Sequence, residues 1–109
     1  MKRCWIYCGV RPHTSLAEMG RHRDFLKQYS DEKGYTIVSF TSENIYTDFV
    51  QTNGAVSVLK AIEQQTIDVV VMEKGILNHD DKTIKDFLKF ARKHQVEIEE
   101  VEISKKGQN

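Results

Sequence analysis

Two runs of apolar residues without alternation mark the centre of a predicted sheet. "RCWIYCGV" at residues 3–10 and "IDVVVM" at 67–72 are almost continuously apolar. Such runs are typical of parallel strands that are covered on both faces. The pattern therefore predicts residues 3–9 and 67–72 as central strands. A shorter run rich in β-branched and aromatic residues, "YTIVSF" at 35–40, predicts a further strand.

Three segments between these strands have apolar residues at helical spacing. The first helix is predicted from about Ser15 to Lys33, because "SLAE" at 15–18 is a capping box and Gly34 suits the residue after a helix end. Its predicted apolar stripe is Leu16, Met19, Phe25, Leu26 and Tyr29. Two more helices are predicted at about 54–65 and 81–94.

The remaining segments have weaker patterns. Residues 41–53 show neither the helix nor the strand period and are predicted to form a long loop. "VEIEEVEIS" at 96–104 alternates with a phase slip at Glu99-Glu100, which predicts an edge strand with a bulge. The order of elements predicts a three-layer α/β/α domain over 3–104, with a mainly parallel sheet of four or five strands. A flexible tail is predicted at 105–109.

Charge and hydropathy narrow the classes of function. Lys and Arg total 16, as do Asp and Glu, so the formal net charge is zero. A domain built to grip DNA usually has a basic excess, so DNA binding by this domain alone is predicted to be weak or absent. No apolar run approaches the roughly 20 residues of a membrane span. The basic, short apolar start reads as a strand and not as a signal peptide, so a cytoplasmic location is expected.

The two cysteines, Cys4 and Cys8, are predicted to be buried free thiols. Four residues apart on one strand, they point to the same face about 13 Å apart, which is too far for a disulfide. They also lack the second ligand pair of a zinc site. No metal and no cofactor are predicted.

From residue 3 to 104 the chain resembles the catalytic domain of the serine recombinases, the resolvases and invertases. "WIYCGVR" lies where that family has a strand ending Tyr-x-Arg-Val-Ser. "RDFLKQYSDEKGYTIVSF" is close to the family's first helix and second strand. "SENIYTDFVQTNGAVSVLKAIEQQTIDVVVM" follows the family from its Asp-Gly-x-Ser loop through an Arg-Pro-Gly helix start to the third strand. The resemblance implies a resolvase-like fold.

The resemblance also implies which chemical groups are missing. In the family a serine attacks a DNA phosphate and arginines stabilise the developing charge, but here the serine position is Arg11 and an arginine position is Gly9. The loop glycine is Asn44, and the Arg-Pro pair is Thr52-Asn53. "KGILNHD" after the third strand holds no arginine, and the family's helix glutamine is His22. The resemblance therefore implies a catalytically inactive relative.

Relocated chemistry is a separate hypothesis. Ser15 and His22 share a helix face and could form a nucleophile–base pair, although capping already accounts for Ser15 and an exposed polar role for His22. A second group, His79 with Asp80 and Asp81, offers metal ligands, but acidic residues before a helix commonly serve as caps.

Arg11 has two interpretations. It follows a central strand, where open α/β sheets bind ligands, so Arg11 and Ser15 are candidate anion-binding residues. Alternatively, Arg11 pairs with Glu18 or Glu43. The functional hypotheses are accordingly an inactive recombinase-like domain that acts through protein contacts, as a homodimer or with a partner recombinase, and a small anion-, phosphate- or nucleotide-binding module.

Overall fold

In a computed structural model, which describes residues 1–103, four parallel strands alternate with three α-helices. The strands are β1 (Arg3–Val10), β2 (Thr36–Asn44), β3 (Val69–Glu73) and β4 (Glu97–Val101); the helices are α1 (Leu16–Glu32), α2 (Asn53–Glu63) and α3 (Lys82–Lys93). The sheet order β2-β1-β3-β4 confirms the predicted α/β class and the central position of the two apolar strands. The predicted tail at 105–109 lies outside the described residues. No helix within residues 1–103 is long and apolar enough to cross a membrane.

The sheet separates two hydrophobic clusters. The even-numbered residues of β1 (Cys4, Ile6, Cys8 and Val10) pack with Met19 and Leu26 of α1. Tyr7 packs on the opposite face with residues of α2 and α3. Full burial of one large apolar side chain stabilises a fold by about 1.5–3 kcal/mol, so both layers contribute substantially. Cys4 and Cys8 are buried free thiols as predicted, and burial raises the pKa of the Cys8 thiol to about 11.

The first helix begins and ends as predicted, with one difference in its cap. The Ser15 hydroxyl accepts a hydrogen bond from the Glu18 backbone N–H at 3.1 Å. The Glu18 carboxylate pairs with Arg21 and forms no hydrogen bond to the Ser15 backbone within the described residues, so only half of the capping box exists. Gly34 follows the cap with a φ of 79°, which glycine adopts without strain. Leu16, predicted in the apolar stripe, is instead 84% exposed.

The predicted loop at 41–53 is wrong over much of its length. Strand β2 continues to Asn44, and a short 3-10 helix occupies Phe49–Gln51. Polar side chains fix this second half of β2: Thr41 Oγ1 accepts from the Trp5 indole N–H at 2.8 Å. Because these inward-facing groups are polar, the segment has no hydrophobic alternation.

The phase slip in the last strand does not mark a bulge. β4 pairs with β3 in regular register from Glu97 to Val101, at the predicted sheet edge. Its apolar residues change face instead: Val96 and Ile98 pack in the α2–α3 cluster, and Val101 and Ile103 in the α1 cluster. The register shift in the sheet lies between β1 and β2, where Cys4 pairs with Ile37 and Trp5 with Ser39.

Candidate functional site

A cleft of about 310 Å³ lies at the carboxyl ends of the two central strands. In open α/β sheets this edge is where ligands bind. The end of β1, the first turns of α1 and the segment after β3 form its walls. The polar and charged lining residues are Arg11, Thr14, Glu18, Arg21, His22, Glu73 and Lys74. Thr14 carries the only hydroxyl among the cleft's lining residues, which include no serine or cysteine.

Arg11 lines this cleft, and its side chain is exposed. Two hydrogen bonds fix the position of its backbone. Its carbonyl oxygen accepts hydrogen bonds from the Thr14 hydroxyl at 2.7 Å and from Asn44 Nδ2 at 3.0 Å. The predicted pairings of its guanidinium with Glu18 or Glu43 are wrong, because both carboxylates bind other partners. Within residues 1–103 the Arg11 guanidinium forms no ion pair.

Ser15 is held by its capping role. Its hydroxyl accepts from the Glu18 backbone N–H, and Ser15 is not among the residues that line the cleft. The hypothetical Ser15–His22 pair does not form, because the His22 ring contacts carboxylates. A role for Ser15 in anion binding therefore receives no geometric support, whereas Arg11 keeps its place in the cleft.

His22 belongs to a chain of charged groups across the cleft. Its side chain is 15% exposed, contrary to the predicted exposed position, and its Nδ1 lies 2.8 Å from Glu73 Oε1. Its Nε2 lies 3.5 Å from Glu18 Oε2, which also accepts from Arg21 Nη2 at 2.6 Å. The bond from Arg21 lowers the pKa of Glu18 below its usual value. Arg21 Nη2 also lies 3.4 Å from His22 Nε2, so the ring contacts Glu73 on one side and the Glu18–Arg21 pair on the other, and it links α1 to β3.

Sequence reasoning missed Glu73 and Lys74. Their place in the cleft could have been inferred from the predicted topology. Glu73 is the last residue of β3, the strand that pairs with β1, and Lys74 comes next. Lys74 lines the cleft and, within the described residues, forms no ion pair. With Arg21 paired to Glu18, the cations Arg11 and Lys74 outnumber the one remaining carboxylate of the cleft, Glu73, by one. Such charge can attract an anion.

The position of Gly9 has no space for a side chain. A Cβ atom there would lie 2.5 Å from Ile45 Cδ1 and 2.6 Å from the Tyr7 ring. The Tyr7 side chain is fully buried, so it cannot swing away. The resemblance expects an arginine at position 9, but Ile45 and Tyr7 fill the space that its side chain would need.

The beginning of α2 holds a carboxylate from the protein itself. Thr52 caps the helix by accepting from the Ala55 backbone N–H at 3.0 Å. The Gly54 backbone N–H donates to Glu43 Oε1 at 3.2 Å, and the Tyr7 hydroxyl donates to Glu43 Oε2. Helix N-termini favour negative charge. The resemblance expects Arg-Pro at Thr52-Asn53, where α2 begins. The Glu43 carboxylate occupies the place at this helix start where an external anion could otherwise bind.

The side chains of His79, Asp80 and Asp81 do not come together to form a metal site. His79 Nε2 lies 2.7 Å from Glu100 Oε2, and Asp81 caps α3 by accepting from the Thr83 backbone N–H at 2.8 Å. The Asp80 backbone N–H binds the Asn78 side chain. Within residues 1–103 no three side chains of the metal-binding types form a cluster.

Comparison with known proteins identifies the fold. No family model and no curated protein matches the chain. Among solved structures, the C-terminal catalytic domain of ISC1926 TnpA, an IS607-like serine recombinase, superimposes with a TM-score of 0.78 at 24% identity, covering 94% of this chain and 71% of that one. The N-terminal catalytic domain of TP901-1 integrase superimposes with a TM-score of 0.73 at 16% identity, covering 89% and 75% respectively. The chain therefore has the fold of serine recombinase catalytic domains.

Proposed function

We propose that the chain is a catalytically inactive serine-recombinase-like domain that acts through protein contacts. The observation that carries this proposal is the filled volume at Gly9, next to a strand end that presents Arg11 in place of serine. Phosphoryl transfer to a protein hydroxyl needs a nucleophile and preorganised positive donors. A guanidinium stays protonated and has no free lone pair, so Arg11 cannot take the place of the serine.

The one hydroxyl that lines the cleft does not offer a replacement. Thr14 Oγ1 donates to the Arg11 carbonyl oxygen at 2.7 Å, which directs its proton away from any base. The candidate base, His22, has its Nδ1 2.8 Å from Glu73 and its Nε2 3.5 Å from Glu18. Within the described cleft, no hydroxyl–base pair is formed.

Incubation with supercoiled plasmid, followed by denaturing electrophoresis, tests the proposal. We expect no nicking and no protein–DNA adduct, while an active serine recombinase on a plasmid with its own sites serves as the positive control. A covalent adduct would overturn the proposal. If it disappeared in Ser15→Ala or Thr14→Val, the lost adduct would identify the relocated nucleophile.

A second candidate function, the binding of phosphate or another small anion, is favoured by Arg11 and Lys74, two cations of the cleft that form no ion pair within residues 1–103. Phosphate would then raise the melting temperature by mass action. Arg11→Ala should remove this shift, and Arg92→Ala on the exposed surface of α3 should retain it. An equal shift in both variants, or no shift in the wild type, would exclude the cleft as an anion site.

A further inference from the structure

An open groove of about 420 Å³ lies between α2 and α3. Three apolar and two charged side chains line it: Val56, Leu59, Phe90, Lys60 and Glu63. Val56 is 60% exposed, and Leu59 and Phe90 are only partly buried against the core. The fold therefore leaves part of this apolar surface in water, and its burial against another molecule would be favourable.

The exposed faces of the same two helices are basic. Together α2 and α3 contain six Lys or Arg residues and two acidic residues, a formal charge of +4 in a chain of net charge zero. One of the cations, Lys82, pairs with Asp86 at 2.9 Å. The other five are exposed and form no ion pair within residues 1–103: Lys60, Lys85, Lys89, Arg92 and Lys93.

The stability of α3 accounts for only some of these cations. Arg92 and Lys93 lie in its last turn, where the helix dipole favours positive charge. Lys82 and Lys85 lie among its first four residues, where the same dipole disfavours positive charge. A negatively charged partner on this face would offset that cost.

We propose that the α2–α3 groove binds an acidic amphipathic helix of a partner protein. Val56, Lys60 and Glu63 are spaced four and three residues apart, so the groove follows α2 for about two turns. The apolar face of the partner would cover the groove, and its carboxylates would face Lys89 and Lys93, on either side of Phe90 in the sequence. Such helix-in-groove binding is a common mode of recognition. This inference rests on the proposed function through protein contacts, and it names the surface and the chemistry of the partner.

The charges disfavour a second copy of the chain as the occupant. Two α2–α3 surfaces that each carry a formal charge of +4 would repel one another. The acidic edge strand β4 of a second copy is already partly neutralised, since Glu97 binds Lys2. Glu100 likewise lies against His79. Neither surface of a second copy therefore complements the groove.

The apolar lining disfavours nucleic acid as the occupant. A phosphate backbone could pair with the lysines of α3, but it has no apolar face to lay against Val56, Leu59 and Phe90. An acidic amphipathic helix complements both the charge and the apolar lining.

Fluorescence anisotropy with a designed peptide tests this inference. The labelled probe has leucines at positions i, i+3, i+4 and i+7 and glutamates over the rest of its surface. A control peptide of the same composition has its leucines spread around the helix. We expect the probe to bind saturably and at least about tenfold more tightly than the control, because only the probe has an apolar face. Equal binding of the two peptides, or no binding of the probe up to about 1 mM, would overturn the inference.

Variants of the protein locate the binding surface. Lys89→Glu/Lys93→Glu should raise the dissociation constant of the probe at least about tenfold. Arg23→Glu/Lys27→Glu changes the net charge equally, but on α1 at the opposite face of the sheet, and should have less than about a threefold effect. An equal effect of the two variants would indicate unspecific attraction and would overturn the inference.

Val56→Ser separates a protein partner from nucleic acid. Loss of this exposed apolar side chain should weaken binding of the probe, because less of the groove is then apolar. Duplex DNA that binds more tightly than the probe, is weakened by Lys89→Glu/Lys93→Glu and is unaffected by Val56→Ser would assign the surface to nucleic acid and overturn the inference. Failure of the probe to bind would leave the proposed absence of DNA cleavage intact, whereas a covalent DNA adduct would overturn that proposal whether or not the probe binds.

Discussion

At the residue scale, the packing around Gly9 connects one missing side chain to the proposed loss of chemistry. Ile45 and the buried Tyr7 ring occupy the volume that a side chain at position 9 would need. Gly9, where the resemblance expects an arginine, is thus part of the packing of β1 against the turn after β2. An arginine at this position would require moving at least one of these apolar side chains.

Gly9→Ala should therefore destabilise the protein by about 1–3 kcal/mol, because its Cβ would overlap Ile45 and Tyr7. Gly20→Ala is the control: Gly20 lies inside α1, and the nearest atom to its Cβ would be Arg23 Nη2 at 3.6 Å. The control should gain up to about 1 kcal/mol from helix propensity. Denaturant unfolding gives both values, and a Gly9→Ala variant as stable as the wild type would show that the space is open.

The sequence alone could show that glycine stands where the resemblance expects an arginine, but it could not show which side chains surround Gly9. The resemblance aligned Gly9 and Arg11 with family positions, yet Ile45 was placed in a predicted loop. The contact between Gly9 and Ile45 depends on how a strand packs against a turn that is distant in sequence, and no local pattern predicts it. The position of Glu73 at a strand end could be inferred from the predicted topology, but its contact with His22, 51 residues away along the chain, could not.

At the scale of elements, the Tyr7–Glu43 hydrogen bond links β1, β2 and α2. Tyr7 is fully buried, and burial together with the Glu43 carboxylate raises the pKa of its hydroxyl. The same carboxylate accepts from the Gly54 backbone N–H at 3.2 Å, so one side chain joins three elements.

A double-mutant cycle with Tyr7→Phe and Glu43→Gln measures this link. Each single change should cost about 1–3 kcal/mol, because a buried polar group loses its partner. The double variant should lose less than the sum, with a coupling of about 0.5–3 kcal/mol. Additive losses in unfolding free energy would show that the two groups do not interact.

A second link between elements joins the beginnings of β1 and β3. Asp68 Oδ2 accepts from the Arg3 backbone N–H at 2.8 Å, and its carboxylate binds the Arg3 guanidinium at 3.0 Å. These bonds lower the pKa of Asp68 from 3.8 to about 2. Asp68 thus stabilises the fold fully above about pH 4, and its contribution is lost as the pH falls through about 2.

Asp68→Asn should accordingly cost stability at neutral pH and little at pH 2. The Asp68 side chain is 36% exposed, so solvent screening limits the cost to about 1 kcal/mol. Asp24→Asn, at a carboxylate that is 74% exposed, serves as the control with little change at either pH. A cost of Asp68→Asn that stays constant between pH 7 and pH 2 would contradict this assignment.

The elements whose burial shows as a hydrophobic pattern could be predicted from the sequence. The segments held in place by polar side chains could not. The central strands and the three helices follow from hydrophobic period and caps. The second half of β2 is held by Thr41 and Glu43, whose polar side chains read as loop. In β4 the apolar residues change from one face of the sheet to the other, which mimics the phase slip of a bulge.

At the scale of the whole molecule, the sheet and its two covering layers superimpose on serine recombinase catalytic domains over 94% and 89% of the chain. This framework buries both central strands and leaves the cleft at their carboxyl ends. The cleft has a small excess of positive charge and a single hydroxyl, that of Thr14, among its lining residues. The proposed function is that this framework is present without the groups that react.

The formation of a covalent protein–DNA adduct tests this account most directly. Wild type and Arg11→Ser are each incubated with supercoiled DNA, denatured, and analysed by intact mass. We expect no adduct from either protein, since a serine at position 11 alone would still lack donors at the volume filled by Ile45 and Tyr7 and at the α2 start occupied by Glu43. An adduct formed by the wild type, or by Arg11→Ser alone, would contradict the account.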